Sequence, residues 1–480
     1  MNRKAVVNTI GWIVMAEAGF MLLPLIVSLC YREKCALSFL LSTLIALVVG
    51  GSAVLFCRPK NKVIYAKEGF VIVAFAWVIM SLIGALPFVI SKEIPSYFDA
   101  FFETVSGFTT TGASILSDVE ALSHGTLFWR SFTHWIGGMG VLVFVMAIMP
   151  GVSDRTIHIM RAEMPGPVVG KLVPRVRDTA KILYLIYIAL TAIETLMLLF
   201  GGMTFFESIT HAMGTAGTGG FGIKADSLGS YSPYIQWVIT AFMLVFGVNF
   251  NLYYLILVKR ARQAFRSEEF WVYIGIVAAS AGVICANVYS MFDSFGESIR
   301  HSFFQVASII STTGFSTVDF DLWPTLSKTI LLIIMFIGAC AGSTAGGFKI
   351  SRVVMLFKLI RREVKLLIHP RTVESVSFEE KKVDEKTLSS VGNYLAIYVG
   401  CFIVTFLLVS FEKFDLITNF SAVTACFNNI GPGFGAVGPS CSFAAYSDFS
   451  KVVLSAAMLF GRLEIFPMII AFSPKTWIRR

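Results

Sequence analysis

The chain has 480 residues, 56% of them hydrophobic and only 14% charged, with a formal net charge of +9 and a mean hydropathy of +0.76. Soluble chains carry charge at about a quarter of their positions, and no soluble globule hides this much apolar surface. The figures equally exclude a disordered chain, a collagen and a disulfide scaffold, and leave an all-α polytopic membrane protein.

A helix needs about 20 apolar residues to cross the hydrocarbon core. Ten segments qualify in chain order: 6–30, 35–57, 68–91, 128–150, 181–201, 234–258, 270–292, 328–348, 388–410 and 451–472. The first follows Met1–Lys4 without a small-residue cleavage site, so it reads as a retained span. None shows the ten-residue alternation of a membrane barrel. With both termini cytoplasmic, 29 of the 39 Lys and Arg fall in inner segments and six in outer ones. That asymmetry is the one expected of inner loops. The positive balance is therefore topology and gives no reason to expect a nucleic-acid partner. The outer loops after the second span hold 14 acidic residues against four basic ones, a cation-attracting face. The eight cysteines are scattered through apolar runs and read as free thiols.

A repeat lies in the outer connections. Four stretches align without gaps: DAFFETVSGFTTTG (99–112), ESITHAMGTAGTGG (207–220), HSFFQVASIISTTG (301–314) and TNFSAVTACFNNIG (418–431). Their closing glycines, Gly112, Gly220, Gly314 and Gly431, are 108, 94 and 117 residues apart, so a unit of about a hundred residues recurs four times. Each stretch is too short to cross and reads as a half-helix that dips in from outside and returns as extended backbone. Such backbone is tolerated at membrane depth only inside protein or against water, and four copies meet that condition by lining one central pore. Successive carbonyls of Thr110, Thr111 and Gly112, Thr218, Gly219 and Gly220, Thr312, Thr313 and Gly314, and Asn429, Ile430 and Gly431 then form rings that replace the hydration shell of a cation. The domains expected are 1–67 (two extra N-terminal spans) and repeats over 68–180, 181–269, 270–387 and 388–480.

These residues resemble the superfamily of K⁺ transporters that contains TrkH, TrkG, KtrB and the HKT proteins. The resemblance covers essentially the whole chain and is most specific at TTTGAS (109–114), GTGGFG (217–222), STTGFST (311–317), NNIGPGFG (428–435), GSTAGGFK (342–349) and GRLEIFP (461–467). The extra pair of spans points to the TrkH/TrkG branch. In that family a glycine at each filter position goes with K⁺ over Na⁺, and here all four are glycine. The second and fourth repeats depart from Thr-Thr-Gly, so a strictly fourfold filter is not expected. The resemblance further implies K⁺ as the transported ion, no bound organic cofactor, a homodimer in the bacterial inner membrane, and a TrkA-like cytoplasmic subunit that binds NAD or ATP.

Two anomalies remain. The eighth span contains GACAGSTAGG (338–347), readable as small residues for close packing or as an unwound loop. The resemblance makes Gly342, Ser343, Thr344, Ala345, Gly346 and Gly347 a gate beneath the filter. Arg462 falls at the midpoint of the tenth span, where a charge costs at least about 2.5–3.5 kcal/mol. Glu464, two positions on, does not share its helix face, so backbone carbonyls or another helix are the expected partners. With the resemblance included, Arg462 becomes a positive charge at the pore in contact with 342–347. Glu17 and Glu194 read as proton-relay groups or as helix-pairing partners. His134, His211 and His301 lack ligand spacing. No GxSxG, HExxH or paired intramembrane Asp supports a membrane enzyme, and the transport alternative is a Na⁺- or H⁺-coupled cation symporter.

Overall fold

The computed structural model describes residues 1–59, 64–140, 176–372 and 374–477. Among the described residues six helices are long and apolar enough to cross a bilayer: Arg3–Cys30, Ala36–Phe56, Ala66–Ser91, Lys181–Phe200, Glu268–Met291 and Glu385–Val409. Two bent pairs make further candidates, Pro233–Phe246 with Phe250–Leu257 at 90° and Asp448–Arg462 with Phe466–Phe472 at 120°. The expected fourth span is helix over His124–Gly138; its remainder, 141–150, and the inner stretch 151–175 lie outside the described residues. Large apolar side chains such as Phe56 and Phe200 stand more than four-fifths exposed on these helices, the surface of a protein that faces lipid and not water.

Three of the expected continuous spans are interrupted, each for a local reason. The sixth breaks at Gly247–Asn249, where the Asn249 side chain accepts from the Asn251 N–H and starts a new helix. The eighth is helical only over Thr325–Ile337, ending at Gly338 with φ of 71°. The tenth stops at Arg462, because Glu464 and Ile465 take φ of 59° and 61° and Glu464 turns aside to pair with the buried Arg352. Arg462 therefore ends a helix and does not sit in the middle of one.

Four short helices, Tyr97–Phe108, Phe205–Gly217, Phe295–Ile310 and Leu416–Phe427, carry the four aligned stretches. Each starts on a side-chain cap: Ser96, Thr204, Ser294 and Asp415 accept the N–H of Asp99, Glu207, Glu297 and Thr418. Their last turns are buried throughout. Apolar packing around them falls into three clusters. One joins the N-terminal helices to 66–138 and 394–471, one centres on 182–254, and one on 244–391. A two-residue hairpin, Ser377–Phe378 with Lys381–Lys382, lies between the last two long helices. Its turn residues Glu379 and Glu380 are both left-handed, at φ of 52° and 59°.

Candidate functional site

The four short helices end in one geometry. Two positions before each closing glycine the backbone is left-handed: Thr110, Thr218, Thr312 and Asn429 have φ of 54°, 55°, 58° and 56°. The next N–H in each case reaches back five residues, Thr111 to the Ser106 carbonyl, Gly219 to Gly214, Thr313 to Ser308 and Ile430 to Ala425, at 2.8 to 2.9 Å. This is a Schellman end, normally built on glycine. A β-branched threonine there is a genuine outlier, and three of the four positions carry one. Strain of this kind, about 1–3 kcal/mol per residue, persists where the surroundings over-determine it.

After that turn each chain runs through a glycine of positive φ: 81° at Gly112, 75° at Gly220, 84° at Gly314 and 102° at Gly431. These four glycines close a ring. A Cβ on Gly112 would strike the Gly219 carbonyl, one on Gly220 the Thr313 carbonyl, one on Gly314 the Ile430 carbonyl, and one on Gly431 would lie 2.8 Å from the Thr111 carbonyl. Each turn abuts the next in chain order, and the fourth abuts the first. All four glycines border one cavity of about 400 Å³. The twelve residues singled out in the four turns are thus brought together, with glycine required by both φ and space.

The left-handed side chains are all buried but bond differently. Thr218 Oγ1 donates to the Gly217 carbonyl (2.6 Å), and Thr312 Oγ1 accepts the Gly346 N–H (2.7 Å). Asn429 Nδ2 reaches Thr111 Oγ1 at 2.9 Å and the Met458 carbonyl at 3.0 Å. The backbone torsions repeat fourfold, and the side chains do not.

Residues 338–349 fold up against this ring. The base of the loop is tied by Lys349 N–H to the Ile337 carbonyl (2.9 Å), Ile350 N–H to Ala339 (3.1 Å), and Phe250 N–H to Gly342 (3.1 Å). Its tip is Gly346, where a Cβ would lie 2.9 Å from the Asn429 side chain. Arg462 donates to three carbonyls: Thr344 at 2.7 Å, Gly137 at 2.5 Å and Gly138 at 2.7 Å. Backbone carbonyls were one of the two partners expected of it. Gly342, Ser343, Ala345, Gly346, Gly347 and Arg462 border a second cavity, of about 60 Å³.

Glu17 and Glu194 are fully buried behind two of the short helices, Glu17 next to Gly84 and the Thr104 side chain and Glu194 next to Thr215. His134, His211 and His301 bond the Gly107 carbonyl, the Glu207 carbonyl and the Thr317 hydroxyl. Sequence reasoning missed Glu269, whose buried carboxylate accepts both Ala341 N–H (2.7 Å) and Ser351 N–H (3.1 Å) and so pins the two ends of the loop. Glu379 of the hairpin in turn accepts from Ser267 Oγ and Glu269 N–H. An acid in the first turn of a helix is an ordinary complement to its dipole, so the sequence gives no signal for this second duty. The pair of the buried Arg352 with the half-buried Glu464, with Arg352 4.0 Å over the Tyr394 ring, was missed likewise.

The whole chain has relatives of known kind. It is 38% identical to the Trk system potassium uptake protein TrkH of Salmonella typhimurium, covering 99% of this chain and 100% of that protein. It is 35% identical to the Trk system potassium uptake protein TrkG of Escherichia coli K12, covering 99% and 98%. The crystal structure of the potassium transporter TrkH from Vibrio parahaemolyticus superposes with a TM-score of 0.90 at 32% identity, covering all of both chains. Residues 37–273 and 285–478 match the TrkH family, described as cation transport protein. The chain belongs to the TrkH family of membrane cation transporters, which are not enzymes.

Proposed function

We propose that this protein takes up K⁺ across the bacterial inner membrane through a carbonyl-lined filter made by the four turns. The observation that carries this reading is the closed ring of Gly112, Gly220, Gly314 and Gly431, each set against a carbonyl of the next turn. Carbonyl oxygens turned toward the axis replace water around a dehydrating cation, and the short helices direct the partial negative charge of their C-termini toward the space below. The full names of the relatives, which are potassium uptake proteins, support K⁺ as the ion.

The loop 342–347 and Arg462 act as the gate in this reading. A fixed positive charge about 4 Å from the ion path, at an effective dielectric near 20, repels a cation by roughly 4 kcal/mol. That suffices to hold the path closed and is small enough for a loop movement to relieve. Ten spans with both termini inside, two N-terminal helices ahead of four repeats, a homodimer and a TrkA-like nucleotide-binding partner complete the reading. The relatives' designation as parts of a Trk system supports a partner. Uptake of radioactive Rb⁺ into liposomes, with and without Na⁺ or a pH gradient, tests it. Uptake that needs neither gradient is expected. Strict dependence on one of them would favour the coupled symporter, in which the buried Glu17 and Glu194 would be proton-relay groups.

A further inference from the structure

The second turn is the least self-supporting of the four. Residues 217–222 read Gly-Thr-Gly-Gly-Phe-Gly, four glycines in six, a backbone with maximal freedom and few side chains to brace it. The first and third turns carry internal hydroxyl pairs, Thr109 with Thr111 at 2.8 Å and Ser311 with Thr313 at 2.7 Å, and the fourth is braced by Asn429. In the second, the Thr218 hydroxyl bonds the carbonyl of its own neighbour Gly217.

Its support comes from the first repeat. Arg130 and His134, one turn apart on helix His124–Gly138, face it together. The Arg130 guanidinium lies 4.0 Å over the Phe221 ring, and the His134 ring centroid is 4.1 Å from the same ring. Phe221 is thus held by both side chains. Arg130 Nη1 donates to the Gly222 carbonyl at 3.2 Å, while His134 fills the space beside Gly219 that a Cβ would need. Glu103, on the first short helix, orients the guanidinium through Nε at 2.8 Å and Nη2 at 2.7 Å. The same carboxylate accepts Ser114 Oγ (2.9 Å) and Ile115 N–H (3.0 Å), just past Gly112. Both charged side chains are at most 2% exposed.

We propose that Arg130, oriented by Glu103, is a positioning residue that sets the K⁺/Na⁺ discrimination of the second turn from the first repeat. The proposal rests on the filter reading above. A buried ion pair adds little stability that well-packed apolar residues would not match. What apolar residues cannot do is hold a carbonyl and an aromatic face at once with a rigid planar fork. In the gapless alignment the position of Glu103 is His211, Gln305 and Ala422 in the other repeats, so this carboxylate is a feature of the first repeat alone. Losing the clamp frees Phe221 and Gly222, and with them the direction of the carbonyls at Gly219 and Gly220. A ring that can contract accepts the smaller ion.

The test uses the full-length protein in liposomes, with Rb⁺ and Na⁺ uptake measured on the same preparation of folded protein. Arg130→Gln and Glu103→Gln are each expected to lower the Rb⁺/Na⁺ ratio about tenfold, with the double variant no worse than either single one, since the two residues act as a unit. Arg130→Lys keeps the charge but not the fork, and Phe221→Leu keeps an apolar side chain but not the stacked face; both shift the ratio in the same direction by less. They keep the question open to measurement where a Gln variant does not fold. A ratio unchanged in every folded variant, with uptake falling only in step with protein amount, overturns the proposal. Gly220→Ser separates the two levels. A shifted ratio there with none in the clamp variants removes Arg130 and leaves the filter, whereas no shift in either removes the filter as well.

Discussion

The ring of four turns and the loop beneath it are built on opposite plans. The ring states one backbone geometry four times, from four different sequences, and each copy leans on the next. The loop 338–349 occurs once, and beyond the backbone bonds at its base its side-chain ties come from unrelated places: Thr312 at the tip, Arg462 at the side, Glu269 at the base. A cyclic set of like parts cannot shift one member without disturbing its neighbours. A single loop whose tip and side rest on a few side-chain bonds can move there when one of them is lost. In the proposed reading, the contrast separates a part suited to discriminating among ions from a part suited to moving.

The largest effect is expected where the cycle is broken. Gly112→Ser puts a Cβ into the Gly219 carbonyl at a φ of 81° and should abolish most K⁺/Na⁺ discrimination, read as the Rb⁺/Na⁺ uptake ratio. Gly431→Ala should cost less, because its Cβ lies 2.8 Å from the nearest carbonyl, a milder conflict than at the other three glycines. Equal effects at Gly112 and Gly431 would mean that the strain of φ, common to both, outweighs the ring contacts.

Next in size is release of the loop. Arg462→Ala removes a permanent charge and three carbonyl contacts and should raise basal Rb⁺ uptake per folded molecule about tenfold or more, with less dependence on any cytoplasmic partner. Arg462→Lys should keep much of the barrier, since charge is retained while the fork is lost. Deleting Gly346 and Gly347 should act in the same direction as Arg462→Ala. An Arg462→Ala protein that folds normally and conducts no faster would take the residue out of the gate.

Smaller effects should follow from the single ties. Glu269→Ala frees the N–H groups of Ala341 and Ser351 and should raise basal uptake about three- to tenfold, whereas Glu269→Gln keeps a carbonyl acceptor and should lie near wild type. Thr312→Val deletes one bond to Gly346 and should change basal uptake about two- to fivefold, with the Rb⁺/Na⁺ ratio preserved. A ratio that moves with Thr312→Val would show that ring and loop are one unit, and would end the contrast drawn above.

The register of the ring was open to reading in the sequence, because four glycines at matching positions survive any drift in the residues around them. The left-handed residue two places earlier was not. Threonine disfavours that conformation, and no local rule places it there; only the packed neighbours impose it. The breaks at Gly247–Asn249 and at Leu463–Ile465 were equally hidden, since hydropathy averaged over twenty residues passes smoothly across a bend. Arg462 was found by its cost in an apolar run, with backbone carbonyls as one of two expected partners, yet counting residues set it mid-helix when it ends one. Glu269 and Glu103 left no trace, being acids in short-helix and helix-start positions where acids are common.

The ring also has a seam. The turn at Gly431 meets the turn at Gly112, and there Asn429 reaches Thr111 across more than three hundred residues of chain. During synthesis, Thr111 therefore waits for its last neighbour until residue 431 has emerged. Carbonyls that a bilayer would not tolerate unpaired must meanwhile stay wet or shielded. A chain stopped short of the fourth turn leaves the turns at Gly314 and at Thr111 each without the neighbour that closes the ring.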